Sequence, residues 1–172
     1  MNNTIQMETD KYVFFFGHKE NSLLTHYFSQ WYKCNFTNSN GTEFSSAEQY
    51  MMYKKALLFG DKEIAQKIIN SDDPAEVKAL GRKVKNYSES KWNEYKYKIV
   101  VRGNKLKFSQ NKKLLKRLLE TGNKLLVEAS PYDKIWGIGL TAIDACKIPQ
   151  NKWPGQNLLG LALGEVRDSF AK

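Results

Sequence analysis

The stretch from Ser45 to Ala56, SSAEQYMMYKKA, contains residue types that can do chemistry. It predicts a helix, and at about 3.6 residues per turn Glu48, Met52 and Lys55 fall on one face. A carboxylate can act as an acid or a base, and an uncharged amine can act as a nucleophile. This face is therefore either a wet surface with ordinary charges or the lining of a reactive pocket.

Glu48 and Lys55 also have ordinary structural explanations. Ser45 precedes Glu48 by three residues, and S-x-x-E is the pattern of a helix capping box. Lys55 by itself fits a surface lysine. Burial beside Met52 would favour its neutral amine, whereas an ionised Glu48 would favour the ammonium. The sequence leaves open which of these two effects prevails.

The net charge of +9 is concentrated in one segment. Between Lys78 and Arg117 there are 14 lysines or arginines and only two glutamates, a local charge of +12, so the rest of the chain sums to −3. Aromatic residues are mixed among these cations, a composition suited to phosphates and to base stacking. The segment therefore either binds a polyanion or forms helices with lysine-rich solvated faces.

Length and composition favour a single domain. The chain has 172 residues, of which 41% are hydrophobic, enough to bury a core without disulfides or metal. The polar start, residues 1–11, is predicted to be flexible, and the domain is predicted to span residues 12–172. No run approaches the roughly 18 apolar residues of a membrane span, and there is no signal-peptide pattern. We therefore expect a cytoplasmic protein without a membrane partner.

A metal site is not expected. Cys34 and Cys146 together with His18 and His26 would make four ligands, but the paired spacings typical of zinc sites are missing from the sequence. Two cysteines far apart in a chain without a signal pattern are typical of reduced thiols. We expect neither a metal nor another cofactor.

Local patterns predict an α+β fold that is predominantly helical, with a small β-sheet. Strands are predicted at residues 13–17 and 124–129, and a hairpin at residues 32–44. Helices are predicted from residue 45 onward and at residues 61–69, 74–81, 88–110, 111–120 and 156–170. A turn at 130–133, an apolar segment at 135–140 and a polar loop ending at 155 complete the chain.

Several blocks, taken together, resemble the NADAR (YbiA-like) family in order and spacing. They are FSQWY at 28–32, SSAEQYMMYKKA at 45–56, LGR at 80–82, GN and KF at 103–108, LVEASPYDKIWGIGL at 126–140, and the segment 153–167. The resemblance runs from Phe14 to Phe170. It implies a YbiA-like single-domain fold and an N-glycosidase that cleaves a bond between a ribose C1 and a nitrogen.

The resemblance also implies a set of functional residues. Those implied in catalysis are Glu48, Lys55 and Asp133, and those implied in substrate binding are Arg82, Trp92, Trp136, Gly137 and Asn157. The two carboxylates could divide protonation of the departing base and stabilisation of positive charge on the sugar. Lys55 could attack C1 and hold the opened sugar as a Schiff base, or it could instead bind phosphate or orient Glu48.

The substrate-binding residues leave structural alternatives open. Trp92 and Trp136 could sandwich a flat base, or they could be core residues. The backbone amide of Gly137 could lie near a pyrophosphate. Asn157 could be only a helix cap.

Within the family, one branch acts on phosphoribosylated pyrimidines of the riboflavin pathway, and another removes ADP-ribose from guanine and counteracts toxins that modify DNA. The block EASPYDKIWGIGL at residues 128–140 is similar to the second branch. We therefore expect removal of ADP-ribose from guanine in DNA, an antitoxin activity paired with a DNA-modifying toxin. Lys96, Lys105 and Lys112 would hold the DNA strand. The alternatives are the riboflavin-pathway reaction and a non-catalytic module that binds ADP-ribose or NAD.

Overall fold

The computed structural model describes residues 6–171, of which about half are helical and few are in strands. The strands are β1 Met7–Glu8, β2 Tyr12–Phe15, β3 Phe36–Thr37, β4 Glu43–Phe44 and β5 Leu125–Glu128. The α-helices are α1 Ala47–Leu58, α2 Lys62–Ile69, α3 Pro74–Arg82, α4 Glu89–Gln110, α5 Lys112–Glu120, α6 Ala142–Cys146 and α7 Leu158–Phe170. Short 3-10 helices lie at Thr25–Phe28 and Gln150–Lys152. The predicted α+β class is confirmed.

The contacts divide the chain into two compact units. The first unit contains the residues up to Ser29 and those from Lys113 onward, and the second unit is Gln30–Lys112. No helix within residues 6–171 has the length and apolar character needed to cross a membrane.

The sheet of the first unit has the order β1-β2-β5. β1 pairs antiparallel with β2, and β2 pairs parallel with β5, so that Phe15 lies opposite Glu128. Because the two strands are parallel, their carboxyl ends meet at the same edge. Helix α7 packs against β5 at Gly160, where a Cβ atom would overlap the carbonyl oxygen of Leu126. The residues predicted for the site in the first unit follow this edge or lie at the start of α7.

The second unit is built around α1, which packs against α2, α3 and α4. The predicted hairpin is confirmed as the short pair β3–β4, and Phe36, Phe44 and Tyr50 form an aromatic cluster beside it. Gly103 lies within α4, and a Cβ there would collide with the Tyr50 ring. The glycine weakens the helix slightly but allows α4 to approach α1 closely.

Two predicted segments differ in detail from the structure. Of the segment predicted to be flexible, residues 1–5 lie outside the described residues, while Met7–Glu8 forms β1. The Glu8 carboxylate accepts hydrogen bonds from Arg117 at 2.7 Å and Lys124 at 2.9 Å. The segment predicted as a polar loop contains α6, which begins at a side-chain cap from Thr141. Five residues are too few for a clear helical period, so the pattern does not reveal this helix.

Candidate active site

Helix α1 begins at a cap that differs from the predicted one. Ser46 is the N-cap, and its Oγ accepts a hydrogen bond from the backbone N–H of Gln49 at 3.1 Å. Gln49 reaches back, and its Oε1 accepts from the backbone N–H of Ser45 at 2.7 Å. The reciprocal side-chain contacts are therefore made by Ser46 and Gln49, each one residue after its counterpart in the predicted pair. The capping box predicted for Ser45 and Glu48 is wrong.

Glu48 is a buried acid in the first turn of α1. It is only 7% exposed, and its backbone N–H donates to the carbonyl of Gln30 at 2.9 Å. A carboxylate in the first turn of a helix interacts favourably with the positive end of the helix dipole. The Glu48 side chain is therefore not the predicted cap, and its catalytic role stays a prediction.

The side-chain amine of Lys55 is held by a carbonyl and two aromatic rings. Its Nζ donates to the carbonyl oxygen of Gly81 at 2.8 Å and lies 4.6 Å from the ring centre of Tyr87 and 5.6 Å from that of Trp92. Gly81 belongs to the last turn of α3, where backbone carbonyls lack partners within the helix. The amine therefore has a defined position rather than the freedom of a surface lysine.

Burial lowers the pKa of Lys55 below its ordinary value of 10.5. The carboxylate of Glu48 acts in the opposite direction, and the guanidinium of Arg82 adds to the lowering. Of the two opposing effects that the sequence left open, burial therefore prevails over the charge of Glu48. A lowered pKa increases the fraction of neutral amine near neutral pH, which is the nucleophilic form.

Gly81 also accounts for the packing of the residue between the acid and the amine. A Cβ atom at Gly81 would overlap the sulfur of Met52, so α3 can lie this close to α1 only with glycine there. The same close approach brings the Gly81 carbonyl to Lys55. Within the second unit the amine of Lys55 therefore lies near Glu48, Arg82 and Trp92. The roles of these four residues in a reaction stay predictions.

Asp133, in the first unit, organises a turn. Its Oδ1 accepts hydrogen bonds from the backbone N–H groups of Ile135 and Trp136, both at 2.8 Å. Trp136 is half-buried. The carboxylate thus has a structural task, and its predicted catalytic role stays a prediction.

The loop that follows Asp133 covers the start of α7. Four consecutive backbone carbonyls, from Lys134 to Gly137, accept hydrogen bonds of 2.9 to 3.1 Å from the N–H groups of residues 156–159. These bonds satisfy the amide donors that a helix start leaves unpaired. A Cβ at Gly137 would lie about 3 Å from the carbonyl oxygens of Asp133 and Glu128, which is tighter than ordinary packing allows. Close packing therefore explains this glycine, and its contact with a pyrophosphate stays a prediction.

Asn157 is not a side-chain cap for α7. It adopts the left-handed conformation with φ of 54° and makes no capping hydrogen bond. Its Oδ1 instead accepts from the backbone N–H of Glu128, and its Nδ2 donates to the carbonyl of Leu126, both at 2.9 Å. The cap alternative is wrong, because the amide fastens α7 to β5. A substrate contact of Asn157 stays a prediction.

Glu128 is a carboxyl group that the sequence reasoning did not single out. It is half-buried at the carboxyl end of β5, and burial together with the neighbouring charge of Asp133 raises its pKa to about 8. At neutral pH it is therefore protonated and able to donate a proton. The available signal was a glutamate that ends the apolar strand LLVE directly before a turn.

The basic segment is only partly a surface. Eleven of its 14 cations are exposed, and the remaining three are Lys96, Lys107 and Arg117. Lys96 is 9% exposed, and its Nζ donates to Asn93 Oδ1 at 2.6 Å, which does not fit the predicted contact with a DNA backbone. Lys105 and Lys112 are exposed, as a phosphate contact requires.

Comparison with known proteins decides the family. The sequence model of the NADAR domain matches residues 14–171. The chain belongs to the NADAR family. An N-glycosidase of Acanthamoeba polyphaga mimivirus is 57% identical over 166 residues, which cover 94% of this chain and 98% of that protein.

Two further matches differ from this chain in length or in sequence. A riboflavin biosynthesis protein of Vibrio vulnificus is 29% identical over 144 residues, covering 84% of this chain but only 35% of that protein. The NMR structure of the Escherichia coli protein YbiA superimposes with a TM-score of 0.76 at 24% identity, covering 97% of this chain and 89% of YbiA. The likeness to YbiA confirms the NADAR fold that the sequence blocks implied.

Proposed function

We propose that this NADAR protein is an N-glycosidase that cleaves the bond between a ribose C1 and a nitrogen, and that its substrate is ADP-ribosylated guanine in DNA. The observation that carries the proposal is the amine of Lys55, which has a lowered pKa and shares a helix face with the buried acid Glu48. Recognition alone does not require such a pair. The name of the mimivirus relative, N-glycosidase, supports the reaction type.

The chemistry follows from the neutral amine. Its nitrogen forms a bond to C1 while the bond from C1 to guanine breaks, and the electron pair leaves with the base, which takes up a proton. The attached nitrogen then loses a proton and the ribose ring opens, giving an imine. Water adds to the imine and releases both ADP-ribose and the free amine of Lys55. The carboxylate of Glu48 can take the protons that the attacking nitrogen and the attacking water lose.

The exposed cations of the basic segment favour a nucleic acid as the carrier of the modified base. Lys105 and Lys112 are exposed on or next to the long helix α4 and can neutralise phosphates. A small ribosylamine would have no use for such a surface. Removal of ADP-ribose from DNA would reverse the action of a DNA-modifying toxin, which is the pairing we propose.

The riboflavin-pathway reaction is the second candidate, because a relative from Vibrio vulnificus is named a riboflavin biosynthesis protein. The chain spans about a third of that protein, whereas it spans nearly all of the mimivirus N-glycosidase. The two candidates share the cleaved bond and differ in what surrounds it.

A direct comparison of substrates tests the proposal. The protein is incubated with an oligonucleotide carrying ADP-ribosylated guanine and, separately, with a phosphoribosylated pyrimidine, and released sugar is measured by mass spectrometry. We expect ADP-ribose to be released from the oligonucleotide, and Glu48→Gln protein to release it at least about 100-fold more slowly. Release only from the pyrimidine would overturn the proposed substrate, and release from neither would overturn the N-glycosidase.

A further inference from the structure

The side-chain amide of Asn104, on α4, carries a buried oxygen without a partner. Asn104 is fully buried, and its Nδ2 donates to Gln30 Oε1 at 2.8 Å and to the carbonyl of Val100 at 2.9 Å. Within residues 6–171, Oδ1 of Asn104 is the one buried side-chain nitrogen or oxygen that lacks a hydrogen bond. Proteins rarely leave such a group unpaired, because its desolvation is not compensated.

The direction of this oxygen is fixed by the other end of the amide. Both partners of Nδ2 are acceptors, so turning the amide over would set an oxygen against two oxygens. Two hydrogen bonds from one nitrogen also restrain the plane of the amide. Oδ1 of Asn104 is therefore an acceptor with a fixed direction that can take a hydrogen bond from a ligand.

The acceptor belongs to the same hydrogen-bonded chain as the proposed catalytic acid. Gln30 accepts from Asn104 with its side chain, and its main-chain carbonyl accepts from the backbone N–H of Glu48 at 2.9 Å. At the other end of α1, Lys55 lies beside Trp92, twelve residues before Asn104 on α4. The two helices therefore run in opposite directions along this face, with Glu48 at the Asn104 end and Lys55 at the Trp92 end.

This placement distinguishes between the parts of a substrate. A phosphate group is largely ionised at neutral pH and acts mainly as a hydrogen-bond acceptor. It therefore does not suit a lone carbonyl oxygen, which is also an acceptor. A flat base is better served by Trp92, whose ring lies at the opposite end of the face. The ribose bound through C1 carries hydroxyl groups next to the reacting carbon, and each hydroxyl is a donor.

We propose that Oδ1 of Asn104 accepts a hydrogen bond from a hydroxyl of the ribose whose C1 bond is cleaved. The inference rests on the proposed function, because that function places Glu48 at this ribose. A buried acceptor of this kind discriminates strongly against ligands that lack the hydroxyl, since they leave it unpaired. Asn104 thus contributes to selection of ribosylated over unribosylated ligands.

Binding of ADP-ribose and ADP by calorimetry tests the proposal, since ADP lacks the second ribose. We expect the protein to prefer ADP-ribose, and Asn104→Leu to weaken ADP-ribose binding by about 10- to 100-fold while leaving ADP binding unchanged. The matched control is Asn93→Leu, which makes the same substitution at an exposed position of α4. It should retain the preference.

Equal weakening of both ligands by Asn104→Leu, or unchanged ADP-ribose affinity, would overturn the role of Asn104. If that variant does not fold, deoxy analogues of ADP-ribose test the unaltered protein. Removal of one hydroxyl of the second ribose should weaken binding about tenfold or more, and equal affinity of all analogues would refute the hydrogen bond. If the unaltered protein binds neither ligand, the proposed substrate fails. The affinities for ribose 5-phosphate and for phosphate are then measured with the unaltered protein and with Asn104→Leu, and they test the role of Asn104 in the same way.

Discussion

The amine of Lys55 and the carbonyl of Gly81 are joined by a hydrogen bond of 2.8 Å, which links the middle of the site to the end of α3. A charged ammonium and a neutral amine can both make this bond. The neutral amine uses one N–H for it and keeps its lone pair for another atom. The contact therefore explains how a lysine can be held in place and still serve as a nucleophile.

The first prediction concerns the covalent intermediate at Lys55. Borohydride added during turnover should reduce the imine and leave the mass of the sugar on the peptide that contains Lys55. Lys55→Arg should lower kcat by at least about 100-fold, because a guanidinium keeps the charge but is not a nucleophile. Lys54→Arg, one residue earlier, is the control and should stay active. An enzyme that turns over normally without an adduct would point to direct attack by water, with Glu48 as the base.

The second prediction separates catalysis from helix capping at the start of α1. Glu48→Gln should lower kcat by about 10²- to 10⁴-fold with little change in melting temperature, because Ser46 and Gln49 make the cap. Ser46→Ala should do the reverse, costing about 0.5 to 2 kcal/mol of stability while retaining activity. Thermal melting and a turnover assay on the same samples measure both effects. Near-normal turnover by the glutamine variant would remove Glu48 from the reaction.

The third prediction uses two glycines that both lie inside helices. Gly81→Ala should destabilise the protein by about 1 to 3 kcal/mol, because the new methyl group overlaps the Met52 sulfur. It should also lower kcat, since the carbonyl that holds Lys55 must move. Gly164→Ala, whose Cβ would meet only the far end of Arg167 at 4.0 Å, should instead stabilise by about 0.5 to 1 kcal/mol. Urea unfolding of the two variants checks the opposite signs.

Local patterns predicted most elements correctly because their signals are local. Ser88 begins α4 with a side-chain cap, and Asp73 and Pro74 begin α3, as the sequence indicates. The cap of α1 was placed one residue early because two adjacent serines precede it, and only the reach of Gln49 decides between them. The cap of α1 therefore depends on Gln49, which is not part of the S-x-x-E pattern.

The cap alternative for Asn157 is wrong because the contacts of this side chain are distant in sequence. The amide of Asn157 bonds to Leu126 and Glu128, about 30 residues away, so a local pattern can only suggest a cap. Lys96 is different, because it lies four residues after Trp92 and four before Val100, both buried. That helical spacing could have predicted its burial.

The fourth prediction is a pH-dependent stability that arises from Glu128. In the unfolded chain its carboxyl ionises near 4.5, while in the folded protein the pKa is raised to about 8. Between these pH values the folded state holds a proton that the unfolded state releases, so this group lowers stability increasingly as pH rises from 4.5 to 8. Glu128→Gln removes the effect. At pH 8 its melting temperature should exceed that of the unaltered protein, by about 2 to 4 °C for each kcal/mol of destabilisation that is removed, and the gain should vanish toward pH 4.5.

Thermal melting at a series of pH values measures this difference. Glu20→Gln, which changes an exposed glutamate of the same unit, is the matched control for the loss of one carboxyl group. A Glu128→Gln difference that does not change with pH would show that the Glu128 carboxyl is ionised in the folded protein.

The fifth prediction concerns DNA binding by the exposed cations. Lys105→Glu combined with Lys112→Glu should weaken binding of an oligonucleotide and make it less sensitive to salt, by about 0.7 to 0.9 in the slope of log K against log salt for each phosphate that is no longer neutralised. Binding of free ADP-ribose should be unchanged, because both lysines are exposed rather than part of the buried face that carries Glu48. The control is the double variant Lys62→Glu with Lys67→Glu, which makes the same charge change on α2, outside the basic segment. Fluorescence anisotropy over a range of salt concentrations gives the slopes. Equal slopes for the two double variants would mean that the basic segment is only a solvated face. The enzyme would then reach its modified base without contacts from Lys105 and Lys112 to the DNA phosphates.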